Sequence, residues 1–99
     1  MAELKNFLDS EGRLKQFPAK RLMKLQAILY VASKLPADAE MTEREVNELL
    51  DRWATFGDRV TLRRELVDHG CLLRDSHGRS YRVAVPQPTL EELEALYPT

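Results

Sequence analysis

Apolar residues recur every three or four positions along three stretches of the chain, and this spacing predicts three amphipathic helices. In the longest stretch, residues 18–35, one face collects Leu22, Leu25, Ile28, Leu29, Ala32 and Leu35. The second helix is announced by Thr42 and Glu45, which are spaced as a capping box, each side chain accepting the other residue's backbone N–H. The third runs from Asp58, a suitable N-cap, to Gly70, a suitable terminator.

A two-stranded hairpin is predicted directly after the third helix. Residues 71–74 and 79–83 have strand character, and the Asp-Ser-His-Gly sequence between them favours a turn. Two helices joined by a short turn and followed by a hairpin are the order of a winged helix-turn-helix, with the hairpin as the wing. We therefore predict an α+β, mainly helical winged helix-turn-helix with a two-stranded wing and a short helix at each end.

The N-terminal helix is expected over residues 2–9, and the C-terminal helix is opened by a second capping box at Thr89 and Glu92. Residues 1–85 are expected to form the winged-helix domain, including the N-terminal helix. Residues 86–99 add a proline-containing connector and a short acidic helix. The apolar side of that helix would pack either on the domain or on a second copy of the chain.

The composition is that of a globular protein, with 43% hydrophobic and 31% charged residues. No apolar run approaches the roughly 20 residues of a membrane span, and no leader pattern is present, so no membrane partner is expected. The single cysteine excludes an internal disulfide and fits a reducing, cytoplasmic location. The 99 residues suffice for one core.

Charge is unevenly distributed, although the net charge is only −1. Residues 1–35 carry seven Lys or Arg and three acidic residues, and residues 57–82 carry six and four. Residues 36–56 and 83–99 are acidic on balance. A nucleic-acid interface would therefore combine the N-terminal third with the third helix and the hairpin.

The third helix would be the recognition helix of a winged helix-turn-helix. Helical periodicity places its apolar residues, Val60, Leu62, Leu66 and Val67, around an inward arc. The outer side then carries Thr61, Arg64, Glu65 and Asp68. We predict that Thr61 and Arg64 contact base edges, although the two acidic residues beside them weaken the DNA hypothesis.

Further contacts are predicted outside the recognition helix. His77 and Arg79 at the wing tip would reach a minor groove or a phosphate, and Lys20 and Lys24 on the long helix would contact phosphates. An ordinary solvated surface is the alternative interpretation of all four residues.

Arg63 falls on the inward arc, where a guanidinium needs either a partner or a path to water. Glu45, at the edge of the second helix's apolar seam, is the predicted partner, and an Arg63–Glu45 ion pair would lock the two helices together. The alternative is an Arg63 side chain that reaches solvent.

The sequence contains no recognisable catalytic or cofactor motif. There is no glycine-rich phosphate loop, and His69, Cys71 and His77 lack a fourth ligand with zinc spacing. Cys71 opens a strand, which predicts a buried, unreactive thiol. We therefore expect a protein that is not an enzyme and has neither a metal site nor a cofactor.

Several motifs together point to one bacterial family. They are residues 42–47, Asp58, residues 62–68 with the core Leu-Arg-Arg-x-Leu-Val-Asp, Leu73 with Arg74, and residues 78–81. With Gly12-Arg13-Leu14 and Phe17-Pro18, they resemble a domain of unknown function, number 2087, over about residues 10–83. The family occurs alone or attached to winged-helix regulators of the arsenic-repressor type, and it is commonly labelled a transcriptional regulator. The resemblance implies a regulator-like role and places Arg63 and Arg64 in the family motif, but Arg82 replaces the family's usual aromatic residue.

The sequence is compatible with two functions of different classes. The leading one is a small bacterial DNA-binding, transcription-regulator-like module. The alternative is a protein-interaction module on a winged-helix scaffold, favoured by the acidic second helix and the apolar side of the final helix. Such a module would bind a protein partner or form a homo-oligomer, and it would show no salt-sensitive DNA binding.

Overall fold

The structure is a computed structural model, and it describes residues 3–96. Its elements, in chain order, are a short 3-10 helix (Leu4–Phe7), α1 (Arg21–Ala32), α2 (Glu43–Trp53), α3 (Arg59–Asp68), β1 (Leu72–Arg74), β2 (Tyr81–Val83) and α4 (Leu90–Leu96). The succession of α2, α3 and a β1–β2 hairpin is a winged-helix-like layout. The predicted α+β, mainly helical fold class is confirmed.

The hairpin is antiparallel, with Leu72 opposite Val83 and Arg74 opposite Tyr81. Met41, just before α2, pairs with Tyr81 on the other side of β2. Each of these two residues donates its backbone N–H to the carbonyl of the other, at 2.8 and 2.7 Å. This bridge ties the start of α2 to the wing.

Both predicted capping boxes form. At α2, the Thr42 hydroxyl accepts the Glu45 N–H at 3.1 Å, and the Glu45 carboxylate accepts the Thr42 N–H at 2.9 Å. At α4, Thr89 and Glu92 make the same pair of bonds at 3.1 and 3.0 Å. These contacts satisfy backbone donors that a helix start otherwise leaves without partners.

One hydrophobic core joins α1, α2, α3 and the hairpin. Its fully buried side chains include Leu14, Ile28, Val31, Val46, Leu50, Leu62, Leu66, Leu72 and Tyr81. Leu14 reaches this core from an extended segment before α1, where it bridges both Leu8 and Ala54. Burial of these apolar side chains supplies the main driving force for folding.

The N-terminal helix predicted over residues 2–9 is shorter than expected. Residue 2 lies outside the described residues, and within residues 3–9 only Leu4–Phe7 are helical, in the 3-10 form. The sequence spacing suits a helix, but Leu8 leaves it to pair with Leu14. The bridge therefore overrides the helical pattern of this stretch. The long helix predicted over residues 18–35 is also shorter, because α1 runs from Arg21 to Ala32.

The C-terminal helix α4 packs back on α1. Leu93 is 0% exposed, and the Arg21 guanidinium donates to the Glu94 carbonyl at 2.6 Å. The sequence leaves open whether this helix packs on its own domain or on a second copy of the chain. In the structure it packs on its own domain. Leu96 is exposed, and Tyr97, predicted on the same apolar side, lies outside the described residues. Within residues 3–96, no helix has the length and apolar character needed to cross a membrane.

Candidate nucleic-acid interface

Two core leucines orient α3 on the domain. Leu62 and Leu66, one turn apart, are both buried, which fixes the inward side of the helix. The Asp58 carboxylate caps the start of α3 by accepting the Thr61 N–H at 3.2 Å. Gly70 ends it with a φ of +75°, a conformation that favours glycine, and directs the chain into β1.

Polar contacts with α2 hold one flank of α3. Arg59 pairs with Asp51 at 2.9 Å. One turn later, Arg63 donates to the Asn47 side-chain oxygen and lies 3.7 Å from the Glu43 carboxylate. Both arginines therefore contact side chains of α2.

The predicted Arg63–Glu45 ion pair is corrected to Arg63–Glu43. The Glu45 carboxylate is already used in the capping box with Thr42. Glu43 and Asn47 are four residues apart and so share the helix face that meets α3. Glu43 also accepts the Tyr81 hydroxyl at 3.0 Å, which joins α2, α3 and the wing in one polar network.

The opposite flank of α3 faces α1. Lys24 Nζ lies 3.1 Å from the Glu65 carboxylate and 5.6 Å from the centre of the Phe17 ring. His69 Nδ1 lies 2.8 Å from the Glu65 carbonyl oxygen. Glu65 is thus drawn away from the outer side on which the sequence placed it. A phosphate would have to compete with Glu65 for Lys24, so the predicted Lys24 contact is weakened.

The outer side of α3 is centred on Arg64. The periodicity placed Val60 on the inward arc, but its side chain is 50% exposed. The inward arc is narrower than predicted, because Leu62 and Leu66 define it, and at about 100° per residue Val60 lies about 160° around the helix from Leu62.

A groove of about 220 Å³ separates α3 from the hairpin. It is lined by Val60, Arg63, Arg64, Val67, Asp68, Arg74 and Tyr81. Arg64 and Arg74 are exposed, and neither forms an ion pair with any residue between 3 and 96. The groove therefore carries two available guanidinium groups over a partly apolar wall.

Arg74 was not among the predicted contacts, and strand geometry explains how it reaches the groove. Alternate residues of a strand point to the same face, so Arg74 shares a face with buried Leu72 and with Tyr81 opposite it. This alternation was visible in the sequence, but the position of β1 against α3 was not.

Comparison with known families decides the affiliation of the chain. The family model described as "Uncharacterized protein conserved in bacteria (DUF2087)" matches residues 13–83. The chain belongs to this family. No curated protein and no solved structure matches it. The DUF2087 match contains every residue that lines the groove and ends at the last residue of β2, before α4.

The wing turn of the DUF2087 domain is built around Asp75. Its carboxylate accepts the Arg79 N–H at 2.8 Å and the Ser80 hydroxyl at 3.3 Å. The Arg79 N–H is the main cause that holds the pKa of Asp75 below its ordinary value of 3.8. Gly78 adopts a φ of +69°, and the Arg74 side chain lies against it. The turn leaves the side chains of His77 and Arg79 exposed.

The six predicted contact residues are not gathered into one pocket. Among the described residues, only Arg64 of the six lines the groove. Thr61 is partly buried beside the N-cap, and Lys20 is exposed just before α1. His77 and Arg79 occupy the wing tip, so any shared ligand would have to extend along α3 and the wing.

No metal-binding cluster of three or more His, Cys, Asp or Glu side chains occurs within residues 3–96. Cys71 is fully buried, as predicted, and burial raises the pKa of its thiol to about 11. At neutral pH the thiol is therefore protonated and shielded from reagents.

Acidification is expected to weaken folding through Asp75 and Asp9. The Arg13 backbone N–H, 2.8 Å from the Asp9 carboxylate, is the main cause that lowers the pKa of Asp9. Because both folded pKa values lie below the ordinary 3.8, ionisation stabilises the fold above that pH. This stabilisation is lost as the pH falls from there through the folded pKa values.

Asp75→Asn should therefore lower the free energy of unfolding near neutral pH and flatten its pH dependence. Urea unfolding at about pH 7 and about pH 3 measures both effects. Asp38→Asn is the control, because Asp38 is an exposed loop residue without a hydrogen bond among residues 3–96. Equal behaviour of the two variants would show that Asp75 does not stabilise the wing turn.

Proposed function

We propose that this DUF2087 chain is a DNA-binding, transcription-regulator-like winged-helix module. The observation that carries the proposal is the groove between α3 and the wing, whose two exposed arginines, Arg64 and Arg74, have no ion-pair partner within residues 3–96. Unneutralised guanidinium groups on a recognition helix and its wing are suited to bases and phosphates.

The distribution of ion pairs supports this choice of surface. Cations on the flanks of α3 are bound to neighbouring helices, as in the Arg59–Asp51 and Lys24–Glu65 pairs. The outer side of α3 keeps Arg64 available although the chain as a whole has a net charge of −1. An exposed arginine without an ion-pair partner on such a chain favours an anionic partner at that position.

The proposed contacts divide into two kinds. Arg64, with Thr61 beside the N-cap, meets base edges in the major groove. Arg74, Arg79 and His77 on the wing meet the phosphate backbone, and Lys20 adds a phosphate contact from the start of α1. Lys24 is left out of this set because it is paired with Glu65.

Salt dependence tests the proposal on the full chain. Binding to a fluorescent random-sequence duplex should weaken about 100-fold between about 50 and 200 mM salt, the fall expected for about four phosphate contacts. Fluorescence anisotropy measures the affinity at each salt concentration. Absence of binding at the low end would refute the proposal and favour the protein-interaction module.

A further inference from the structure

An apolar side chain stands on the outer side of α3 beside the available arginine. Val60 is 50% exposed and lies one helical turn before Arg64. Both side chains line the groove that opens towards the wing. A half-exposed valine beside an available arginine favours a partner that offers an apolar group next to an acceptor for arginine.

The major groove of DNA offers such a pair of groups. Its apolar feature is the 5-methyl group of thymine, and guanine presents two acceptors, O6 and N7, to an arginine. Residues four apart on a helix are separated by about 6 Å along its axis. Adjacent bases on one strand are about 3.4 Å apart, so Val60 and Arg64 would span about two base-pair steps.

We infer that Val60 determines specificity by contacting the 5-methyl group of a thymine that lies within about two base pairs of a guanine bound by Arg64. This inference rests on the proposed DNA-binding function and adds the bases recognised. In helix-turn-helix proteins the N-terminal residues of the recognition helix contact base edges, so the half of α3 that carries Val60 enters the major groove.

The test begins with selection of preferred sites from a random duplex library by the full chain. Each thymine of the selected site is then replaced by deoxyuridine, which lacks only the 5-methyl group. At one thymine, the native chain should lose about fourfold in affinity, as expected for the loss of one buried methyl group. Val60→Ala should bind the thymine duplex about fourfold more weakly and should be insensitive to the replacement.

A matched control is Leu73→Ala. Leu73 is 49% exposed, but it lies on the opposite face of β1 from Arg74. This variant should respond to deoxyuridine as the native chain does. In parallel, 7-deazaguanine, which lacks the N7 acceptor, should weaken binding of the native chain about tenfold at one guanine and leave Arg64→Ala unaffected.

The possible outcomes separate the inference from the function on which it rests. Salt-sensitive binding without any enriched sequence would overturn the inference and leave the proposed function standing. The same holds if the native chain and Val60→Ala respond equally to deoxyuridine at every thymine. Failure to bind any duplex would overturn both.

Discussion

Replacing Tyr81 by alanine is expected to lower the free energy of unfolding by about 3–5 kcal/mol. Tyr81 is 1% exposed and is the largest of the fully buried side chains within residues 3–96. Its backbone pairs with both β1 and Met41, its hydroxyl donates to Glu43 of α2, and its side chain lines the groove beside α3. Small domains are stable by only about 5–15 kcal/mol, so this one cavity would remove a large part of the total.

Tyr81→Phe is the control that separates packing from hydrogen bonding. It keeps the ring and removes only the hydroxyl that donates to Glu43 at 3.0 Å. Because that carboxylate is about half exposed, the loss should be near 1 kcal/mol. Urea unfolding followed by circular dichroism measures both variants. A Tyr81→Ala chain within about 1 kcal/mol of the native stability would show that the ring does not hold the wing in place.

The parts of the fold that depend on neighbours in sequence could be predicted. A capping box such as Thr42 with Glu45 is made by side chains three residues apart, so its chemistry is complete within one turn. The turn at Asp75 and the terminator Gly70 are equally local. The order of these elements was then enough to predict the winged-helix layout.

The flanks of α3 could not be predicted, because they depend on how three helices pack. Arg63 was correctly expected to need a partner, but the choice of Glu43 depends on which side of α2 meets α3. Val60 was placed inward because it is apolar, although Leu62 and Leu66 alone define the buried line. Val60 lies about 160° around the helix from Leu62, so it stays at the surface although it is apolar.

The groove between α3 and the hairpin could not be predicted from the sequence either. Arg64 could be placed on the outer side of its helix from periodicity alone. Its position close to Arg74 depends on the packing of β1 against α3, which connects residues from two different elements. Lys24 shows the opposite case, because a residue that looked available is paired with Glu65 in the folded chain.

Replacing the two wing arginines by alanine is expected to weaken DNA binding strongly. Under the proposed function, Arg74 and Arg79 each neutralise one phosphate and release one counterion. At about 50 mM salt, each such contact contributes about tenfold to affinity, so Arg74→Ala with Arg79→Ala should weaken binding about 100-fold. The slope of log affinity against log salt should fall by about 2, and the loss should be equal for all DNA sequences.

The matched control removes the same charge from another surface. Arg44 and Arg52 are exposed residues of α2, and Arg52 lines a separate groove that also contains Glu45 and Glu48. Arg44→Ala with Arg52→Ala gives the same net charge, so a general effect of charge would weaken binding as much as the wing variant does. Contact at the wing predicts instead that this control keeps nearly the native affinity and salt slope. Equal losses in the two double variants would therefore exclude the wing as the phosphate-binding surface, even if the chain binds DNA.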